Sequence, residues 1–138
     1  MRLARFVIAS ALLAFGIPAA AEAPRPSQAA CDTTKLGARD LADCLRTAAD
    51  KSDRDLQAAL DAAERSIDQR QGLLSSQKAR WRRSLGDAQA QWVAWRDSEC
   101  QDVAPFEAGM AGKGGDPRLG CIIDYDAERT ASLKARYP

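Results

Sequence analysis

The sequence predicts an all-α fold: a long antiparallel helical hairpin with a shorter C-terminal helix against it, stapled by two disulfides. Three observations carry the prediction. Apolar residues recur at helical spacing over two long segments and one shorter one. Nowhere does a good alternating run of β-branched and aromatic residues mark a strand. Four cysteines, Cys31, Cys44, Cys100 and Cys121, all follow an N-terminal run with the character of an export signal.

That run comes first. Arg2 and Arg5 supply a positive start, and Phe6 to Ile17 is uncharged and apolar but too short to span a membrane. Pro18 breaks it, and Ala19-Ala20-Ala21 fits a small-residue cleavage site, so residues 1–21 read as a signal peptide. Cleavage after Ala23 is the second choice, because Pro24 would follow the cut. A lipoprotein would need a cysteine directly after the apolar run, and the first is Cys31. The expected location is therefore periplasmic or secreted, with no membrane insertion after cleavage.

Residues 22–30, EAPRPSQAA, carry two prolines and little to bury, and read as a flexible leader. Residues 31–138 form one domain of about a hundred residues, enough for one modest core.

The first long helix is expected from about Arg39 to Gln71. Leu41, Leu45, Ala48, Leu56, Leu60, Ala63 and Ile67 form its stripe, with one gap around Ser52. The stripe is rich in alanine, which lets a partner helix approach closely. Gly72 is a plausible stop.

The second helix is expected from about Ser76 to Val103, capped by Ser75 or Ser76 and limited by Pro105. Its stripe is Trp81, Leu85, Ala88, Trp92, Trp95 and Glu99. Large aromatics at this spacing read as core. Arg96 and Asp97, being neighbours, point to different faces, and Arg96 is expected to meet an acid on another helix.

Pro105 to Gly120 holds five of the nine glycines and reads as a loop. Asp116-Pro117 then offers an N-cap and a first-turn proline. The last helix, from Arg118 to about Tyr137, carries Ile122, Tyr125, Arg129 and Leu133 at helical spacing.

Four cysteines allow three pairings, and sequence alone does not choose. An antiparallel hairpin brings Cys44 near Cys100, which favours that bond with Cys31–Cys121 beside it. The local alternative is Cys31–Cys44 with Cys100–Cys121.

Composition excludes several functions. No histidine occurs, so a Ser-His-Asp or Cys-His nucleophile is impossible. Neither a C-x-x-C pair nor a histidine supports zinc, and no nucleotide loop or cofactor motif is present. The expectation is no enzyme, no metal and no cofactor. Without Arg2 and Arg5 the 20 basic residues fall to 18 against 19 acids, a net charge near −1. That argues against nucleic acid as a partner.

The run Leu85-x-x-Ala88-Gln89-x-x-Trp92-x-x-x-Arg96-Asp97-x-x-Cys100 resembles the signature of the lysozyme-inhibitor LprI-like family of small exported bacterial proteins. Trp95 stands where members carry another aromatic. Cys121, Tyr125, Arg129 and Leu133 follow the family's order on the last helix, and Cys31 and Cys44 match its two upstream cysteines. Two features depart from it. Leu41-Ala42-Asp43 stands where a Glu-Met-Asn-like triplet is common, and Leu60 replaces a tyrosine. The resemblance implies a disulfide-stapled helical domain of the bacterial envelope that binds a protein, with lysozyme inhibition as the name-giving activity. In that reading Leu85, Ala88, Gln89, Trp92, Arg96, Asp97, Arg129 and Leu133 are mainly structural.

A lysozyme cuts glycan with two carboxylates in a cleft, which a cation-bearing loop can plug. The candidates for partner binding are Lys113, Asp116 and Arg118, in and beside the glycine-rich loop. The alternative function is an envelope structural or interaction module with another partner. An exposed apolar patch around Trp81, at the hairpin's far end, would favour it.

Overall fold

The computed structural model describes residues 23–109 and 115–138. The predicted signal peptide, residues 1–21, lies outside the described residues, as does Lys113. The fold is all-α, with no strand among the described residues. The elements are α1 (Pro26–Ala30), α2 (Ala38–Gln69), α3 (Ser75–Ser98), a π-helical turn (Glu99–Val103), α4 (Ala104–Ala108) and α5 (Pro117–Arg136). No helix among the described residues is long and apolar enough to cross a membrane.

The helix ends follow local chemistry. Leu74 N–H donates to Gln77 Oε1 at 2.8 Å, so the first turn of α3 is closed by Gln77 rather than by a serine cap. Gly72, at φ 78°, sits in the tight turn between α2 and α3, a conformation that suits glycine. Asp116 caps α5 as expected, accepting from Arg118 N–H at 3.0 Å ahead of Pro117. Pro105 does not end the helical path. The π-helical turn absorbs the change of register, and the chain runs on to Ala108, where Gly109 turns out at φ 66°.

The hairpin is formed by α2 and α3. Arg82 pairs with Asp68 near the tip, and Arg96 pairs with Asp53 toward the open end, which fixes the arms as antiparallel. α5 runs parallel to α2: its start meets Leu41 and Leu45, its middle meets Ser52, and Tyr137 at its end joins Ile67. Among the described residues the backbone of α2 packs more extensively on α5 than on α3, the other arm of the hairpin. Ala49, Ala59 and Ala63 explain this, since their short side chains let α5 settle against α2.

Two apolar cores result. One, toward the tip, gathers Leu56, Ala59, Ala63, Ile67, Leu85, Leu133 and Tyr137. The other, at the open end, gathers Cys31, Leu41, Leu45, Ala49 and Ile123. Burying a Leu or Ile of this kind contributes roughly 1.5–3 kcal/mol.

The favoured cysteine pairing is corrected. The bonds are Cys31–Cys44 and Cys100–Cys121, with Cα–Cα distances of 5.9 and 5.4 Å, and not Cys44–Cys100 with Cys31–Cys121. The first turns of α2 pack against the first half of α5, so the end of α3 closes onto α5 instead of α2.

The leader is also corrected. Within residues 22–30, Pro26–Ala30 is helical and docked: Ser27 is buried, and its N–H donates to Asp124 on α5 at 2.7 Å. Trp81 forms no open patch. It packs on the tip core, donates to Tyr137 Oη at 3.3 Å, and lies under the Arg70 guanidinium.

Candidate functional site

Between the two cores lies a polar layer built from α2, α3 and α5. Ser52 fills the gap in the α2 stripe, and its hydroxyl lies 2.9 Å from both Ala49 O and Asp126 Oδ2. Asp126 on α5 is wholly buried, at 0% exposure. Its other oxygen accepts from Arg96 Nη1 at 2.5 Å. The same nitrogen donates to Asp53 at 2.8 Å, while Arg96 Nε and Nη2 reach Asp97 at 3.0 and 2.8 Å. Arg96 thus meets acids on two other helices, as expected, and on its own.

Three aspartates around one guanidinium set the electrostatics. Burial works against the Arg96 charge, but hydrogen bonds to Asp126, Asp97 and Asp53 outweigh it and push its pKa up. Burial pushes Asp126 up, and its bonds to Arg96 and Ser52 offset this only in part. Asp53 and Asp97 are exposed, whereas Asp126 has no solvent path. Fully enclosed, Asp126 has no substrate to act on. The layer ties α2, α3 and α5 together through Ser52, Asp53, Arg96 and Asp126.

A second strand of contacts continues from it. The Trp92 ring lies 5.7 Å from the Arg96 guanidinium and 5.6 Å from that of Arg129. Arg129 Nε donates to buried Gln89 Oε1 at 3.0 Å. Burial, with Arg136 nearby, lowers the Arg129 pKa, and Tyr137 opposes this.

The signature residues divide accordingly. Leu85 and Leu133 are core, Gln89 and Arg96 are buried polar, Trp92 and Arg129 are half-buried, and Ala88 and Asp97 are exposed. The expected stripe on α3 is therefore out of phase: Gln89 and Arg96 face inward where Ala88 and Trp95 were expected to. Trp95 is not core but 47% exposed. Its ring meets Tyr125 edge-on, with centroids 5.0 Å apart. Burial and the carboxylates of Glu99, Glu107 and Glu128 raise the Tyr125 pKa.

The outer surface of this end holds a groove of about 910 Å³ between α1, α4 and α5. Arg25, Glu107, Asp116, Asp124, Tyr125 and Glu128 stand along it. Asp116 and Arg118 are both exposed at the start of α5. Asp116 is partly engaged as the cap, and Arg118 is not among the groove's walls. Phe106 on α4 is 86% exposed. Sequence reasoning missed Ser52, Asp126 and Phe106. The break in the α2 stripe was the available signal for Ser52, and an exposed Phe carries none.

A family model described as Lysozyme inhibitor LprI matches residues 30–133. No curated protein and no solved structure matches the chain.

Proposed function

The chain belongs to the lysozyme inhibitor LprI family, and from that premise we propose that it is exported through residues 1–21 and blocks a lysozyme by direct binding. The action is occlusion, not catalysis. The chain has no histidine, and the one wholly buried carboxylate among the described residues, Asp126, is committed to Arg96 and Ser52.

The observation that carries the reading is the exposure of Phe106. An aromatic 86% exposed on a five-residue helix is an unfilled anchor. The Cys100–Cys121 bond braces the segment that bears it. The glycine-rich loop follows at once, with Lys113, Asp116 and Arg118 as its partner-binding residues. In this reading Phe106 seats against the rim of the lysozyme cleft, and Lys113 or Arg118 meets the carboxylates that cut the glycan.

The test is clearing of a cell-wall suspension by lysozyme, with oxidised protein lacking residues 1–21 titrated in. Saturable inhibition is expected. Phe106→Ala, Lys113→Ala and Arg118→Ala should each weaken it about tenfold, or about 1.4 kcal/mol. Folded, oxidised protein that leaves clearing unchanged defeats the proposal for that lysozyme.

A further inference from the structure

Trp95 and Tyr125, with Trp92, wall a smaller cleft of about 210 Å³ between α3 and α5, which shares Tyr125 and Glu128 with the groove. It is smaller than a drug-sized pocket and has room for about one ring. Its polar lining is Glu128, Arg129 and Ser132.

Arg129 is the informative residue. Two guanidiniums stand near the Trp92 ring, and the two differ. Arg96 is matched by three aspartates. Arg129 has no carboxylate partner among the described residues, and only its Nε is engaged, by Gln89. Gln89 is itself buried, so it holds the guanidinium in a set orientation. The two terminal nitrogens remain to grip a carboxylate in a bidentate fork. A half-buried cation without an anion is costly, and an incoming carboxylate would relieve that cost.

The other lining groups narrow the ligand further. Glu128 repels a carboxylate placed beside it but accepts hydrogen bonds from hydroxyls, so it favours a ligand with its carboxylate on Arg129 and hydroxyls on the Glu128 side. Ser132 both donates and accepts. The aromatic faces favour a flat, C–H-rich surface. One ring carrying a carboxylate, hydroxyls and an apolar C–H face is a sugar acid.

We propose that the α3–α5 cleft binds a carboxylate-bearing pyranose, with its ring against Trp95 and Tyr125, its carboxylate on Arg129, and its hydroxyls on Glu128 and Ser132. The proposal does not depend on lysozyme binding.

The test uses the oxidised protein without residues 1–21, with glucuronate, glucose and acetate as probes. Tryptophan fluorescence and the indole N–H resonances of Trp92 and Trp95 report binding. Saturable binding of glucuronate is expected, with glucose and acetate each at least tenfold weaker. Arg129→Gln should bring glucuronate down to the level of glucose. Should that variant lose its fold, Trp95→Ala, which changes a half-exposed side chain, should weaken both sugars about tenfold. Glu128→Gln should narrow the preference for glucuronate over acetate. Three results would overturn the proposal: no saturable response to glucuronate at tens of millimolar, acetate binding as well as glucuronate, or undiminished binding in both Arg129→Gln and Trp95→Ala. Loss of this site with lysozyme inhibition intact would remove this proposal alone.

Discussion

Replacing Arg96 with Met tests the polar layer most directly. Met keeps much of the aliphatic volume and removes the charge. Asp53 and Asp97 are half-exposed and can turn to water, but Asp126 cannot. Breaking a buried pair from one side costs about 3–5 kcal/mol. The lost cation on Trp92 adds about 0.5–1 kcal/mol. Protonation of Asp126 limits the penalty, so a total of about 4 kcal/mol is expected at pH 7. For a domain of this size that is a fall in Tm of about 20 °C. Urea unfolding with disulfides intact, followed by far-UV circular dichroism, measures it.

The pH dependence has a definite sign. Burial raises the Asp126 pKa in the native protein, and removing Arg96 raises it further. A folded state that keeps its proton to higher pH gains stability as pH falls. The Arg96→Met protein should therefore become more stable from pH 7 down toward the unfolded carboxylate pKa of about 3.9. Arg96→Met with Asp126→Leu removes both charges and should regain most of the loss. A single-variant cost below about 1 kcal/mol, the range of exposed pairs, would refute the reasoning. So would a double variant no more stable than the single.

Three further outcomes are expected. The Thr34 hydroxyl, Lys35 and the Thr34 N–H hold the Asp32 carboxyl down at about 2. Its contribution is present above the unfolded pKa and is lost as pH falls through about 2; carboxyl-carbon NMR should find that midpoint, and Thr34→Val should raise it. Removing the second disulfide as Cys100→Ser with Cys121→Ser should cost about 3 kcal/mol in urea unfolding, from the chain freedom it releases. Gly115→Ala should cost about 1–3 kcal/mol in the same assay, because Gly115 has φ 79° and a Cβ there would stand 2.6 Å from Leu45 Cδ1.

Much of the fold was legible from spacing. Leu41, Leu45, Leu56, Ala63 and Ile67 lie on the buried face of α2 as their period required. What spacing hid was the polar layer. A hydrophobic stripe is read by its apolar members, so Ser52 registered as a gap and Asp126 as surface. On α3 the same habit chose Ala88 and Trp95 over Gln89 and Arg96, one residue out of phase. The cysteine pairing depended on where α5 docks, which helical periodicity within one segment does not encode. The docking of α1 combines the Ser27 N–H bond to the Asp124 carboxylate with the Cys31–Cys44 bond just beyond it, a pairing that composition does not encode. Arg96 meets acids on other helices as its position predicts, but it also bonds its neighbour Asp97, which helical geometry assigns to a different face.

The two disulfides enclose consecutive stretches of chain, Cys31 to Cys44 and Cys100 to Cys121, with no overlap. Neither ring encloses the other, and neither must wait for the other to close. The pairing expected from the hairpin would have nested one ring inside the other. In the observed arrangement the first bond can form on an N-terminal fragment that has not yet met α3 or α5. Oxidation can thus keep pace with a chain delivered from its N-terminus, and no mispaired cysteine need be resolved before the three long helices come together.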